Sequence, residues 1–296
     1  MVGQFARRSV IYPWLDPRGR FSAFKAAVFA SLFLPALWVL YLGWTEQLGA
    51  RPVMEAIHQL GLWAIRLLFL SLAVTPLRGA LRWPNLLQIR RMLGVACFCY
   101  AFAHFLGYGL DQAFDLGKIA SEIVLRLYLT IGFVALVALG ILTATSTDGM
   151  VRRLGGRPWR RLHQAIYAVA ALACVHYFMQ SKLGVNEPVV VGGLYLWLMG
   201  FRIVSHYRRQ AILPVWVLGA ISLSAALLTL IGETGFFAIF MGVDPWRIIV
   251  ATLTFTPAIR PCWYVLWIGL AVTLAAALRV PRSKPKREAV RPARAA

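Results

Sequence analysis

Residues Arg90 to Tyr108 read RRMLGVACFCYAFAHFLGY. Two arginines are followed by 19 positions, Met92 to Leu110, without a single Asp, Glu, Lys or Arg. A helix needs about 20 apolar residues to cross the hydrocarbon core of a bilayer, and an arginine pair at one end marks the end that stays in the cytoplasm. His104 sits deep inside this run. A second stretch, Trp159 to His176, repeats the arrangement as WRRLHQAIYAVAALACVH. Here Arg160 and Arg161 precede the apolar run, His163 lies at its mouth and His176 within it. Ionisable side chains at membrane depth are costly and point to function.

The rest of the chain supports a membrane reading. Of 296 residues, 60% are hydrophobic and only 14% charged, with a mean hydropathy of +0.68. Soluble domains carry about a quarter charged residues. The net charge of +20 does not indicate nucleic acid, because the basic residues fall in short clusters between apolar runs. Cys97, Cys99, Cys174 and Cys262 form no framework, and three of them lie in apolar helices, where cysteine is a small hydrophobe. No C-x-x-C-H occurs, which argues against covalently attached haem. The N-terminus has a polar lead of about 25 residues and no small-residue cleavage site, so the first helix is expected to remain as an anchor.

The expected fold is an all-α polytopic membrane protein, a bundle of about eight transmembrane helices. The expected spans are 26–44, 58–76, 92–110, 123–143, 162–180, 188–205, 212–231 and 262–279. Residues 235–256 are apolar but interrupted by Gly242, Asp244, Pro245 and Arg247, and are expected to form an interfacial or re-entrant hairpin. One set of connecting segments, which includes Arg202, Arg208 and Arg209, holds 24 of the 31 Lys and Arg residues. The opposite side holds six, Arg51, Lys118, Arg126, Lys182, Arg247 and Arg260, and Arg66 lies inside the second span. This asymmetry places the first set in the cytoplasm. An even number of spans then leaves both termini there. The domain reading is a cytoplasmic N-terminal segment at 1–25, a six-helix core at 26–206, an additional helix pair at 207–280 and a basic tail at 281–296. The tail is expected to be disordered and to lie on anionic lipid.

Spans three and five run in the same direction. His104 is 13 residues beyond Arg91, and His176 is 15 beyond Arg161. At about 1.5 Å per residue both stand roughly 20 Å from the cytoplasmic edge. Two neutral imidazoles facing each other at one depth suit the iron of a b-type haem. The alternative is that each ring hydrogen-bonds between helices. His163 would place a second haem roughly 20 Å away along the helix axis. Its 13-residue spacing from His176 leaves the two about 140° apart around an ideal helix, so a local distortion near the helix start, or a different approach face, is required. Its partner is open. Arg90, 14 residues before His104 and about 40° off its face, could meet the iron or pair with a haem propionate, and Arg91 is the next candidate. A plain positive-inside arginine pair explains both residues equally well. Interfacial positions account for His58 and His206. Arg66 is expected to pair, snorkel or face a polar cofactor. Trp14, Trp38, Trp44, Trp83, Trp159 and Trp263 fit interfacial belts.

These residues carry a family resemblance. Arg90-Arg91-Met-Leu-Gly with Tyr100, His104 and Tyr108 resembles the MsrQ family, the haem-binding membrane subunits of bacterial protein-methionine-sulfoxide reductase. Leu142-Thr-Ala-Thr-Ser146, Trp159-Arg-Arg-Leu-His163 with Tyr167 and His176, Gly61-Leu-Trp63-Ala and Ala73-Val-Thr-Pro-Leu77 resemble the same family, over about residues 1–206. That family belongs to the ferric-reductase-like transmembrane group, which includes the NADPH oxidases. The resemblance implies an inner-membrane cytochrome b, binding haem b and FMN, that draws electrons from the quinone pool. It passes them to a periplasmic molybdenum-cofactor partner of MsrP type, which reduces methionine sulfoxide in oxidised proteins. It also implies that His104, His163 and His176 are haem-associated. No phosphate-cradling glycine loop locates FMN. Leu125-Arg126-Leu127-Tyr128 keeps the Arg and Tyr of the family's Lys-Arg-Pro-Tyr before a Thr-x-Gly and lacks the Pro. Spans seven and eight and the tail exceed the family's six-span core.

A ferric or cupric reductase would share the haems but need an outer metal-binding surface, and the outer loops are short, with no His/Asp/Glu cluster. A transporter would show repeats and broken helices with midplane charges. No flavin and nicotinamide domain follows the membrane part, so electrons must come from a quinol or a separate reductase.

Overall fold

The computed structural model describes residues 12–16, 18–181, 184–255 and 258–279. The basic tail and the first 11 residues, and with them the expected location of both termini, lie outside the described residues. Among the described residues the chain is all-α, with no strand beyond one isolated bridge, Leu15 to Phe21. The helices are α1 (Ala23–Ser31), α2 (Leu34–Trp44), α3 (Pro52–Ala80), α4 (Arg90–Asp111), α5 (Leu116–Leu125), α6 (Leu127–Ala144), α7 (Asp148–Leu154), α8 (Gly156–His163), α9 (Ile166–Gln180), α10 (Asn186–Arg208), α11 (Val215–Met241), α12 (Pro245–Thr254) and α13 (Pro261–Leu278).

Eight helical stretches among these are long and apolar enough to cross a bilayer. This is a multi-pass membrane protein. Every one of them carries exposed large apolar side chains, such as Leu40, Leu70, Leu106, Val137, Val175, Ile203, Leu227 and Leu274. In water such a surface would be an aggregation hazard; against lipid it is the expected exterior.

Two spans are interrupted, and the start of a third lies later than expected. The first breaks at Leu32–Phe33, where Pro35 enters the first turn of α2. The Tyr100 hydroxyl bridges this break, donating to Leu32 O at 2.7 Å and accepting from Ala36 N at 3.0 Å. The expected start of span four at 123 is corrected: α5 ends at Leu125, Arg126 is extended (φ −110°, ψ 104°), and the spanning helix begins at Leu127. The fifth span is interrupted between His163 and Ile166.

The expected end of span seven at 231 is also corrected. Gly232, Glu233, Thr234 and Gly235 do not stop α11, which continues to Met241 and ends at Gly242 in a left-handed conformation (φ 63°). The reason is that Glu233, only 2% exposed, meets Arg260 at 2.7 Å. Residues 235–241 therefore belong to α11, and only Pro245–Thr254 forms the separate short helix α12.

The core centres on α3, whose Leu67, Leu68 and Leu72 are nearly inaccessible. It packs along α4 and also against α2, α9, α10 and α13. The last helices pack on α10 at a close approach. A Cβ on Gly193 would lie 2.5 Å from Val265 Cγ2 and closer still to Thr229 Oγ1.

Candidate functional site

His104 on α4 and His176 on α9 come together. Their ring centres are 6.3 Å apart with planes at 85°. Each ring is held from a different helix by the same device. His104 Nδ1 donates to Ile57 O on α3 at 2.7 Å, and His176 Nδ1 donates to Tyr128 O on α6 at 2.8 Å. A carbonyl oxygen only accepts, so Nδ1 carries the hydrogen and Nε2 keeps its lone pair. Four residues past each accepting carbonyl stands a glycine, on the same helix face. A Cβ on Gly61 would lie 2.9 Å from His104 Nδ1, and one on Gly132 would lie 2.7 Å from both His176 Nδ1 and Cε1. Both rings occupy the space that these two glycines leave open.

The spacing suits a metal bound between the rings. An imidazole–metal bond of about 2 Å, plus roughly 1 Å from the nitrogen to its ring centre on each side, sums to roughly 6 Å. A backbone carbonyl that fixes tautomer and orientation is the usual support for a ligating histidine. The chain thus presents two oriented imidazoles that could hold a metal between them, on helices α4 and α9.

The other residues singled out in the sequence fall in distinct places. His163, at the end of α8, stacks on Trp159 with ring centres 4.1 Å apart, and its Nε2 is 3.1 Å from Thr145 Oγ1. Trp159 Nε1 donates to Thr145 O at 2.8 Å. Trp159 thus packs against His163 and ties it to the end of α6. The interruption after His163 is a distortion of the kind that the 13-residue spacing requires. Arg90 is within electrostatic reach of His163, whereas Arg91 forms an ion pair with Asp148 at 2.6 Å. Arg66 is exposed, pairs with Glu187 at 2.8 Å and lies over the Trp63 ring, so pairing is the outcome among the three expected. His58 and His206 are exposed. Arg202, counted with the basic face and within the expected span 188–205, stands inside α10 and donates to Leu72 O at 2.7 Å.

Known proteins are similar to this chain in sequence. A family model described as ferric reductase like transmembrane component matches residues 60–174, which include Gly61, His104, Gly132 and His163. The protein-methionine-sulfoxide reductase heme-binding subunit MsrQ of Rhodospirillum rubrum is 41% identical over 189 residues, which is 63% of this chain and 90% of that protein. The chain belongs to the MsrQ family. The MsrQ subunit of Azospira oryzae is 39% identical over 195 residues, covering 65% of this chain and 84% of that protein. That of Brucella ovis is 43% identical over 178 residues, covering 60% and 80%. Each match leaves a third or more of this MsrQ-family chain uncovered. No solved structure matches it.

Gly61 and Gly132 were missed as site residues by sequence reasoning. Each lies in a stretch that carried the MsrQ resemblance, Gly61-Leu-Trp63-Ala and the Thr-x-Gly of Thr130 to Gly132. A glycine inside an apolar helix normally weakens it, and that cost was the available signal.

Proposed function

We propose that this chain is the haem-binding, electron-transferring membrane subunit of a protein-methionine-sulfoxide reductase. The observation that carries this reading is the His104–His176 pair, with ring centres 6.3 Å apart and both Nδ1 atoms committed to backbone carbonyls. Bound between these rings, haem b supplies one-electron transfer. The protein's part is to fix both imidazoles, exclude water with the leucine-rich surround and set the distance to each membrane face.

The basic face is the cytoplasmic side of the inner membrane in this reading, and both termini lie there. Electrons enter from a membrane quinol and leave outward to a periplasmic molybdenum-cofactor subunit of MsrP type. His163 and Arg90 form a second, inner centre, with one imidazole and an unpaired guanidinium in place of a second histidine. FMN belongs to this reading through the resemblance alone. The core at 26–206 performs this work, and 207–280 is an added helix pair. The lengths matched by the relatives, 178 to 195 residues, support that division.

Purified protein is expected to give a reduced-minus-oxidised spectrum of b type. His104→Ala and His176→Ala are each expected to remove the same spectral component. Absence of any haem band from protein made with adequate haem would sink the reading, and loss of different components in the two variants would sink the pairing.

A further inference from the structure

Four helix ends meet at the basic face around one cavity. It is lined by Gly79 and Arg82 at the end of α3, Phe201 of α10, Ile212 of the α10–α11 link, Leu218 of α11 and Ala276 of α13. The cavity measures about 230 Å³, whereas about 10–15 Å³ suffices for one water. Its walls are apolar, with Phe201, Leu218 and Ala276 all buried. Close packing normally removes such a space. Here it stays open although the chain comes near: a Cβ on Gly79 would lie 3.0 Å from Ala211 O.

The polar groups at its mouth find no answer within the chain. Arg82 lines it, and Arg78, Arg208, Arg209 and Arg279 stand within three residues of a lining position. Among the described residues none of these five makes an ion pair. The segments that build the cavity, 72–110, 188–232 and 245–287, contain no Asp or Glu. Among the described residues the N–H groups of Ala211, Ile212 and Leu213 also donate to no protein acceptor. Arg82 (φ 48°) and Arg209 (φ 52°) both hold the left-handed backbone conformation. Glycine would close either helix with less strain, so arginine stands there at a conformational cost. A positive-inside bias explains on which side of the membrane these arginines lie. It does not explain an apolar-walled cavity among the helix ends with a strained arginine at its mouth.

We propose that this cavity holds the phosphate headgroup of an anionic phospholipid from the adjoining leaflet. Basic pockets between transmembrane helices take such headgroups, and a guanidinium meets a phosphate in two-pronged geometry. Arg82 and the free N–H groups of the link bind the phosphate, and the neighbouring arginines add attraction. The glycerol backbone lies against Phe201, Leu218 and Ala276. A soluble phosphate would share the polar contacts and leave these apolar walls empty. In the division proposed above, α3 and α10 belong to the core and α11 and α13 to the added pair, so the lipid braces one against the other. Phe201 and the lining residues after it lie beyond the residues 60–174 that the family model matches.

The test uses the whole protein purified in detergent. Native mass spectrometry reads retained phospholipid, and thermal melts are run with added phosphatidylglycerol, cardiolipin, phosphatidylcholine or inorganic phosphate. Wild type is expected to retain an anionic phospholipid and to be stabilised by phosphatidylglycerol or cardiolipin alone among these. Arg82→Gly removes the guanidinium and relieves the left-handed strain. It is expected to melt no lower than wild type without lipid, yet to bind phosphatidylglycerol about tenfold more weakly, the factor that one charge-assisted hydrogen bond supplies. Ala211→Trp fills the cavity from an exposed position and is expected to lose the retained lipid. Arg152→Gln, on α7 elsewhere on the basic face, is expected to behave as wild type. Equal weakening in Arg152→Gln would show general attraction to the basic face and overturn the site. Undiminished binding in Arg82→Gly, or equal stabilisation by phosphatidylcholine or by inorganic phosphate, would also overturn it. Should Ala211→Trp fail to fold, the comparison of Arg82→Gly with Arg152→Gln decides the question.

Discussion

Gly132→Ala places one methyl group against the His176 ring and so probes the reasoning about the paired histidines directly. The new Cβ would lie 2.7 Å from His176 Nδ1 and Cε1. Comfortable contact between such atoms begins at about 3.5 Å, so ring and helix must separate by roughly 0.8 Å. The ring is also tied to Tyr128 O at 2.8 Å, on the same helix as the new methyl, and moving off the one stretches the other. Disturbing the partner that orients a ligating histidine typically lowers metal affinity by about 10- to 100-fold. Haem retention is the assay, measured as haem per chain through purification and as haem transfer to an apo-protein acceptor. Gly94→Ala is the control, because nothing lies within 4 Å of its added Cβ. It is expected to retain haem and to gain about 0.5–1 kcal/mol from helix propensity. If Gly132→Ala holds haem as tightly as Gly94→Ala with an unchanged spectrum, the close-approach argument is wrong.

Other perturbations follow from the packing. Tyr100→Phe removes both hydrogen bonds across the break between α1 and α2, and is expected to cost about 1–3 kcal/mol, read as a lower Tm in detergent with haem spectra intact. Arg260→Met strands the buried Glu233 carboxylate and is expected to destabilise by about 3–5 kcal/mol. The double variant Glu233→Gln/Arg260→Met is expected to recover most of that loss, and additivity of the two single effects in thermal melts would contradict the pairing. Gly193→Ala presses a methyl into Val265 and Thr229, and overpacking of this kind costs about 1–3 kcal/mol. Its effect should appear as a lowered Tm with both haem ligands unaffected.

Much of this architecture was legible because arginine pairs mark the helix starts. Counting 13 residues from Arg91 and 15 from Arg161 put His104 and His176 at one level, since both helices begin on the same face. The 13-residue spacing from His163 to His176 hinted at the interruption after His163 but did not locate it. Gln164 and Ala165 are unremarkable in a helix, and the seat formed by Thr145 and Trp159 comes from other parts of the chain. The position of Trp159 near the membrane edge was visible in the sequence and its partners were not. Arg202 was counted with the basic face although it lay inside the expected span 188–205, and the carbonyl it meets, freed by Pro76 126 positions earlier, could not be read from its neighbours. Gly232 and Gly235 suggested a helix end, and the buried Glu233–Arg260 pair overrode that local weakness.

The two carbonyl-and-glycine seats have a consequence for assembly. The histidines ride on α4 and α9, but α3 and α6 set their orientation, so a correctly placed pair exists only once four helices from separate parts of the sequence have docked. Whatever binds the finished pair and not its unassembled parts adds its binding free energy to the stability of that four-helix unit. In the proposed reading, haem supply during synthesis would act as a checkpoint on bundle maturation. A chain starved of haem should remain loosely associated at these four helices, and should be accessible to quality-control proteases in the membrane.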